Sequence, residues 1–252
     1  MILVIILIIF ILLNYSLMKK ESFSSILFLT KRNTEYILTR DRDNYFNRFF
    51  KKDLDVRHVK SIDEYKEKIK KSVCSFRQDE RKKIEECVNY IIMKLQKISY
   101  NEIYHIDIKK FLNLPWKFGL LCNNEYENGL PHTREDVILL TRNHVENYSL
   151  KKLRVTILHE QVHVYQKKYT NLMINYLNDN QFKRIKRRSE EDLIRANPDI
   201  DDYIYQDKNN NTYRAVYNDN AKSVEDITYY PIDNQKYEHP FEQMAIYFEK
   251  LI

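Results

Sequence analysis

His159-Glu160-Gln161-Val162-His163 is the stretch of this chain whose residue types and spacing could do chemistry. In a helix, residues four apart share a face, so both imidazoles can be presented to one cation. Glu160 reaches the open side of that cation rather than the cation itself. There a carboxylate can take a proton from a water that the metal has acidified, which prepares attack on a carbonyl. The set therefore expects zinc, with His159 and His163 as ligands and Glu160 as the general base. The flanks argue against accident. Ile157, Leu158, Val162 and Val164 surround the motif with apolar side chains, and two imidazoles without partners would be costly there.

A catalytic zinc takes a third protein ligand. Val164 to Tyr169 holds neither the histidine nor the glycine of the metzincin continuation, so that arrangement is excluded. The other common solution is a carboxylate from a second helix. Tyr237-Glu238-His239-Pro240-Phe241-Glu242-Gln243-Met244-Ala245 supplies it, because Pro240 opens a helix and Glu242 falls in the first turn. Ala245, on the same face, would let the two helices approach closely. Glu242 is the expected third ligand. Glu238, His239, Asp199 and Asp202 are its rivals.

His159-Glu160-x-x-His163 followed by Pro240-x-Glu242-x-x-Ala245 resembles the gluzincin-type, zincin-like metallopeptidases, and most nearly the uncharacterised zinc peptidase-like proteins of large DNA viruses. The resemblance covers about residues 100–252. It implies zinc at His159, His163 and Glu242, Glu160 as general base, and an edge strand ahead of the active helix, where Val137–Thr141 stands. Glu242 lies 79 positions after His163, a longer gap than in many relatives, and the second motif lacks the N-E-x-x-S-D form.

Around these motifs the chain reads as α+β, a zincin-like small mixed or antiparallel sheet with an active-site helix and a C-terminal helix. Ser61-Ile-Asp-Glu64 has capping-box spacing. Tyr65, Ile69 and Val73, then Ile84, Val88, Ile91 and Leu95, follow helical stripes. Glu102–Ile108 reads as a strand. One long helix is expected over Leu150–Leu177 and another over Gln181–Ala196, closed by Asn197-Pro198. Tyr203–Tyr230 reads as two or three strands, and a last helix runs from Pro240 to Leu251. His132 is expected in a turn before the edge strand. Tyr230 and Tyr237 lie nearest the third-ligand motif as possible oxyanion partners.

Residues 1–18 are apolar but for Asn14, Tyr15 and Ser16, long enough to cross a bilayer, and Lys19-Lys20 ends them. They are expected to be an uncleaved, single-pass transmembrane helix. Eleven basic against six acidic residues between Lys19 and Lys60 carry most of the chain's net charge of +6. Such a collar favours a cytoplasmic body. The divisions expected are an anchor over 1–18, a basic juxtamembrane and helical region over 19–100, and a metallopeptidase domain over 101–252. Two glycines exclude glycine-rich phosphate loops. Lys183–Arg188 is balanced by Glu190, Glu191 and Asp192 and reads as a solvated helix face, so no nucleic acid is expected. Three cysteines are too few for a disulfide framework and suggest a reducing environment, with Cys74 and Cys87 as core residues. The expected function is hydrolysis of protein or peptide substrates by a membrane-anchored zinc metallopeptidase. The alternative is a catalytically inactive, membrane-tethered structural or interaction protein, such as a viral envelope component, that keeps the fold.

Overall fold

Strand alternation decides how the layers stack. Ile138 and Leu140 point into one hydrophobic cluster and Val137 and Leu139 into another, so both faces of this strand are covered. The computed structural model describes residues 25–98, 102–103, 105–231 and 237–252. The expected anchor over residues 1–18 lies outside the described residues, and no described helix is long and apolar enough to cross a membrane.

In chain order the elements are β1 (Ile26–Phe28), α1 (Lys31–Arg40), α2 (Lys51–Val56), α3 (Ile62–Ser72), β2 (Val73–Cys74) and α4 (Gln78–Gln96). There follow β3 (Glu102–Ile103), β4 (Ile106–Asp107), α5 (Ile108–Leu112), β5 (Trp116–Leu121), β6 (His132–Arg134) and β7 (Val137–Thr141). The remainder are α6 (Arg142–Asn147), α7 (Leu150–Lys168), α8 (Thr170–Asp179), β8 (Lys183–Arg187), β9 (Tyr203–Gln206), β10 (Thr212–Tyr217), β11 (Ile227–Tyr230) and α9 (Pro240–Glu249). This is the mixed α+β class that the sequence indicated.

The five-stranded sheet runs β1-β5-β7-β6, with β2 also paired to β5. β1 and β7 flank β5 in parallel, and β6 closes the sheet antiparallel to β7. Val137–Thr141 is thus an internal strand, and the edge position expected of it belongs to His132–Arg134. His132 lies in this strand rather than in the turn before it. On one face, Phe118 and Leu120 join Ile138, Leu140 and the buried stripes of α4, α7 and α9. Ile84, Val88, Ile91 and Leu95 of α4 are all fully buried, as their spacing required. On the other face α1 and α3 pack through Leu38, Tyr65 and Ile69. Gly119 permits that approach, since a Cβ there would lie 2.8 Å from Thr34 Cγ2.

β1 and β2 pair with β5, and α4 packs on α7, so sheet and core both cross the division expected near residue 100. Arg57, counted in the basic collar, is buried: it meets Glu127 in a bidentate ion pair at 2.8–2.9 Å. Cys87 is a core residue, whereas Cys74 is joined to Cys122 as a disulfide. That pairing departs from the reading of Cys74 as a plain core residue in a reducing environment.

Three helical or strand expectations change in detail. The long helix breaks at Tyr169, whose ψ of 56° separates α7 from α8. Glu102–Ile108 becomes two two-residue strands and the start of α5. The helix expected over Gln181–Ala196 is absent from these described residues. Lys183–Arg187 is a fully exposed edge strand of a separate antiparallel sheet, order β11-β10-β9-β8. Its one apolar residue cannot make a helical stripe, and lysines on an exposed edge discourage further pairing. Ser61 does cap α3 by accepting from the Glu64 N–H, but the Glu64 carboxylate reaches back to the Lys60 N–H instead of completing the box.

Candidate metal centre

α7 carries the first motif through the middle of the main core. Ile157, Leu158 and Val162 are fully buried, and so is His163, while His159 keeps partial exposure at the mouth of a cavity. α9 begins where expected: Pro240 occupies its first turn, and His239 caps it by accepting from the Phe241 N–H. Fully buried Ala245 belongs to the core shared by these helices. A side-chain tie crosses between them. The Gln166 Nε2 donates to the Phe241 carbonyl at 2.9 Å and to the Met244 sulfur at 3.3 Å.

The result is a convergence of three donors. His159 Nε2 and His163 Nε2 lie 3.1 Å apart, and Glu242 Oε2 lies 3.3 Å and 3.7 Å from them. Bonds of ~2.0–2.1 Å to a tetrahedral zinc place ligand atoms ~3.3 Å apart, so this triangle has the dimensions of one face of such a site. The tautomers agree. His159 Nδ1 lies 2.6 Å from Glu249 Oε1, and His163 Nδ1 lies 2.8 Å from Gln166 Oε1. With those nitrogens protonated, both Nε2 lone pairs face the same point as a carboxylate oxygen, an arrangement that calls for a cation. Asn197 Nδ2 donates to Glu242 Oε1 at 3.2 Å, which leaves Oε2 for the histidines.

Among the described residues, His159, His163 and Glu242 form the group that could hold a metal ion. The rival ligands are otherwise engaged. Asp202 pairs with Arg188, and His239 Nε2 lies 3.2 Å from Asp201. Glu238 accepts from Arg195 and Asn197. Asp199 accepts from the Thr133 backbone and hydroxyl at 2.6–2.7 Å.

Electrostatics follow from burial and from these neighbours. Burial opposes charge on His159, but the hydrogen bonds to Glu242 and Glu249 prevail and hold its pKa well above the usual range. Burial likewise opposes ionisation of Glu242, and the two histidines outweigh it, lowering its pKa. Glu160 is different. Burial, reinforced by nearby Asp199, raises its pKa to about 8, and its Oε2 has no hydrogen-bond partner.

The cavity beside the triad has a volume of about 180 Å³, and Glu160, Glu242, His132, Arg195, Tyr229 and Tyr237 are among its walls. Tyr237 was expected near the third ligand. Tyr230 is instead stacked by Arg214, and its neighbour Tyr229 takes the place at the cavity. Sequence reasoning did not find Arg195, Asn197, Gln166 or Glu249. The last two carried a signal, since Gln166 stands three residues after His163 and Glu249 seven after Glu242 on a helix. Replacing Glu249 with alanine is expected to weaken zinc binding by about 10–100-fold, measured by competition with a chromophoric chelator. Unchanged affinity would show that Glu249 does not orient His159. No protein-family model, no curated protein and no solved structure matches the chain.

Proposed function

We propose that the chain is a membrane-anchored, zinc-dependent metallopeptidase that hydrolyses peptide bonds with an activated water. The observation that carries this reading is the convergence of His159, His163 and Glu242 beside a buried carboxylate that is not a ligand. Zinc bound there would supply a Lewis acid that acidifies water and polarises a carbonyl. The chain's own residues do the rest. His159, His163 and Glu242 hold the ion, Glu249, Gln166 and Asn197 fix their orientation, and Glu160 accepts the water proton and returns it to the leaving amine. A purely structural zinc site closes its fourth position with another protein ligand. The cavity and Glu160 on that side favour an enzyme over an inactive tethered protein.

The apolar run over residues 1–18 would hold the body at a membrane, and the following basic residues favour its cytoplasmic side. The Cys74–Cys122 disulfide favours the opposite, oxidising side. Labelling of a cysteine introduced at exposed Lys208 (Lys208→Cys) in intact against permeabilised cells decides between them, since Cys87 is buried and Cys74 and Cys122 are paired. The metal assignment is tested by zinc titration of the full chain in detergent. Glu242→Ala is expected to lose most of the zinc affinity. Binding equal to wild type would remove Glu242 from the ligand set.

A further inference from the structure

β6 is the free edge of the sheet beside the cavity, where a peptide running through the cleft would add as another strand. Thr133 is the residue of β6 whose N–H and C=O face that edge, and both are already taken. Its N–H and hydroxyl donate to Asp199 Oδ1, and the Lys167 ammonium donates to its carbonyl at 2.9 Å. Thr133 is fully buried. The segment that supplies Asp199 is bolted down along its length. Ala196 N–H donates to Asp53 and its carbonyl accepts from Arg57, while Asn197 ties to Glu238 and Glu242 and accepts from the Asp199 N–H. The strand-addition position is therefore filled by the protein itself. What remains is a cavity of about 180 Å³, below the ~300 Å³ at which drug-sized sites begin.

The walls of that cavity want hydrogen-bond donors. His132 and Glu238 are 2% and 3% exposed, yet among the described residues His132 Nε2 and Glu238 Oε2 have no partner. His132 Nδ1 lies 2.8 Å from the Leu130 carbonyl and so carries the ring proton, which makes Nε2 an acceptor. The Arg195 Nε also lacks a partner, but that guanidinium is already committed to Glu238 and the Val224 carbonyl. Among the described residues, five carboxylates (Glu127, Glu160, Asp199, Glu238 and Glu242) line the cavity against a single arginine. A primary ammonium group brings three donors and the complementary charge.

Resting on the metallopeptidase reading, we infer that the cavity takes the amino-terminal residue of a peptide, its ammonium group received by Glu238 and His132, and excludes the middle of an extended chain. The hydrolysis is balanced by one water. Its oxygen bonds the acyl carbon as the C–N bond breaks, and a proton passes through Glu160 to the amine that leaves.

The test uses the full chain in detergent, first assayed for bound zinc and then titrated calorimetrically with three hydroxamates: leucine hydroxamate, its N-acetyl form, and a hexapeptide hydroxamate with a blocked amino terminus. The free amine is expected to bind at least about tenfold more tightly than either blocked probe. Glu238→Gln should erase most of that preference with zinc content unchanged. Hydrogen exchange at the Thr133 amide should stay slow in every complex. Equal or tighter binding of the blocked hexapeptide, or fast exchange at Thr133 when it binds, overturns the inference. A preference that survives Glu238→Gln also overturns it, because the ammonium is then held elsewhere. Failure to take up zinc brings down the metallopeptidase reading and this inference with it, whereas a zinc-loaded protein indifferent to the amine refutes the inference alone.

Discussion

Glu160→Gln is expected to bind zinc as wild type does and to lose peptide cleavage by about 10²–10⁴-fold. The amide keeps the shape of the side chain, so His159, His163 and Glu242 should hold the ion unchanged. It cannot accept a proton, and Glu160 is the carboxylate next in the chain to the ligand His159, with its Oε2 left without a hydrogen-bond partner among the described residues. The readouts are zinc content by elemental analysis and turnover of a mixed peptide library. Equal turnover by wild type and variant would mean that another group activates the water.

The second large effect lies away from the triad. Arg57→Ala is expected to destabilise the fold by about 3–5 kcal/mol, read by chemical denaturation, because it leaves buried carboxylates without their cation. Arg57 pairs with Glu127, donates to the hydroxyls of Tyr45 and Tyr217, and holds the Ala196 carbonyl. A loss below about 1 kcal/mol would show that the network contributes no more than an exposed ion pair. Burial opposes ionisation of Glu127, yet Arg57 overcomes it and brings its pKa down from 4.5 to about 2. A carboxyl whose folded pKa is depressed adds stability that is complete above the unfolded value. That contribution should fade as pH falls from about 4.5 towards 2 and should be missing in Glu127→Gln. The same network anchors Ala196, the residue before Asn197, so the stability of this corner and the position of the Glu242 carboxylate are linked.

The helical parts of the site were legible because helix geometry is local. Spacing alone places His159 and His163 on one face, and Pro240 with Ala245 positions the turn that carries Glu242. The irregular parts were not. Asn197 and Arg195 reach the site because Ala196 bonds to Asp53, 143 residues away, and no local pattern records such a contact. Charge counting misled in two places. It put Arg57 in a membrane collar, although burial among tyrosines and carboxylates gives it a structural role. It also made Lys183–Arg187 a helix face, although strand pairing to β9 needs no apolar stripe when both faces are exposed. β6 escaped notice because three residues are too few to show a period. The apolar stretch of β7 was plain, but its place inside the sheet depends on β6 pairing across the tight turn at Glu135-Asp136.

Zinc-edge X-ray absorption on the full chain, purified in detergent and supplied with zinc, tests the central claim most directly. The account predicts about one zinc per chain, with two imidazole nitrogens and carboxylate or water oxygens at ~2.0–2.2 Å. A protein that takes up no zinc, or whose zinc shows sulfur or fewer than two imidazoles in its shell, would contradict it.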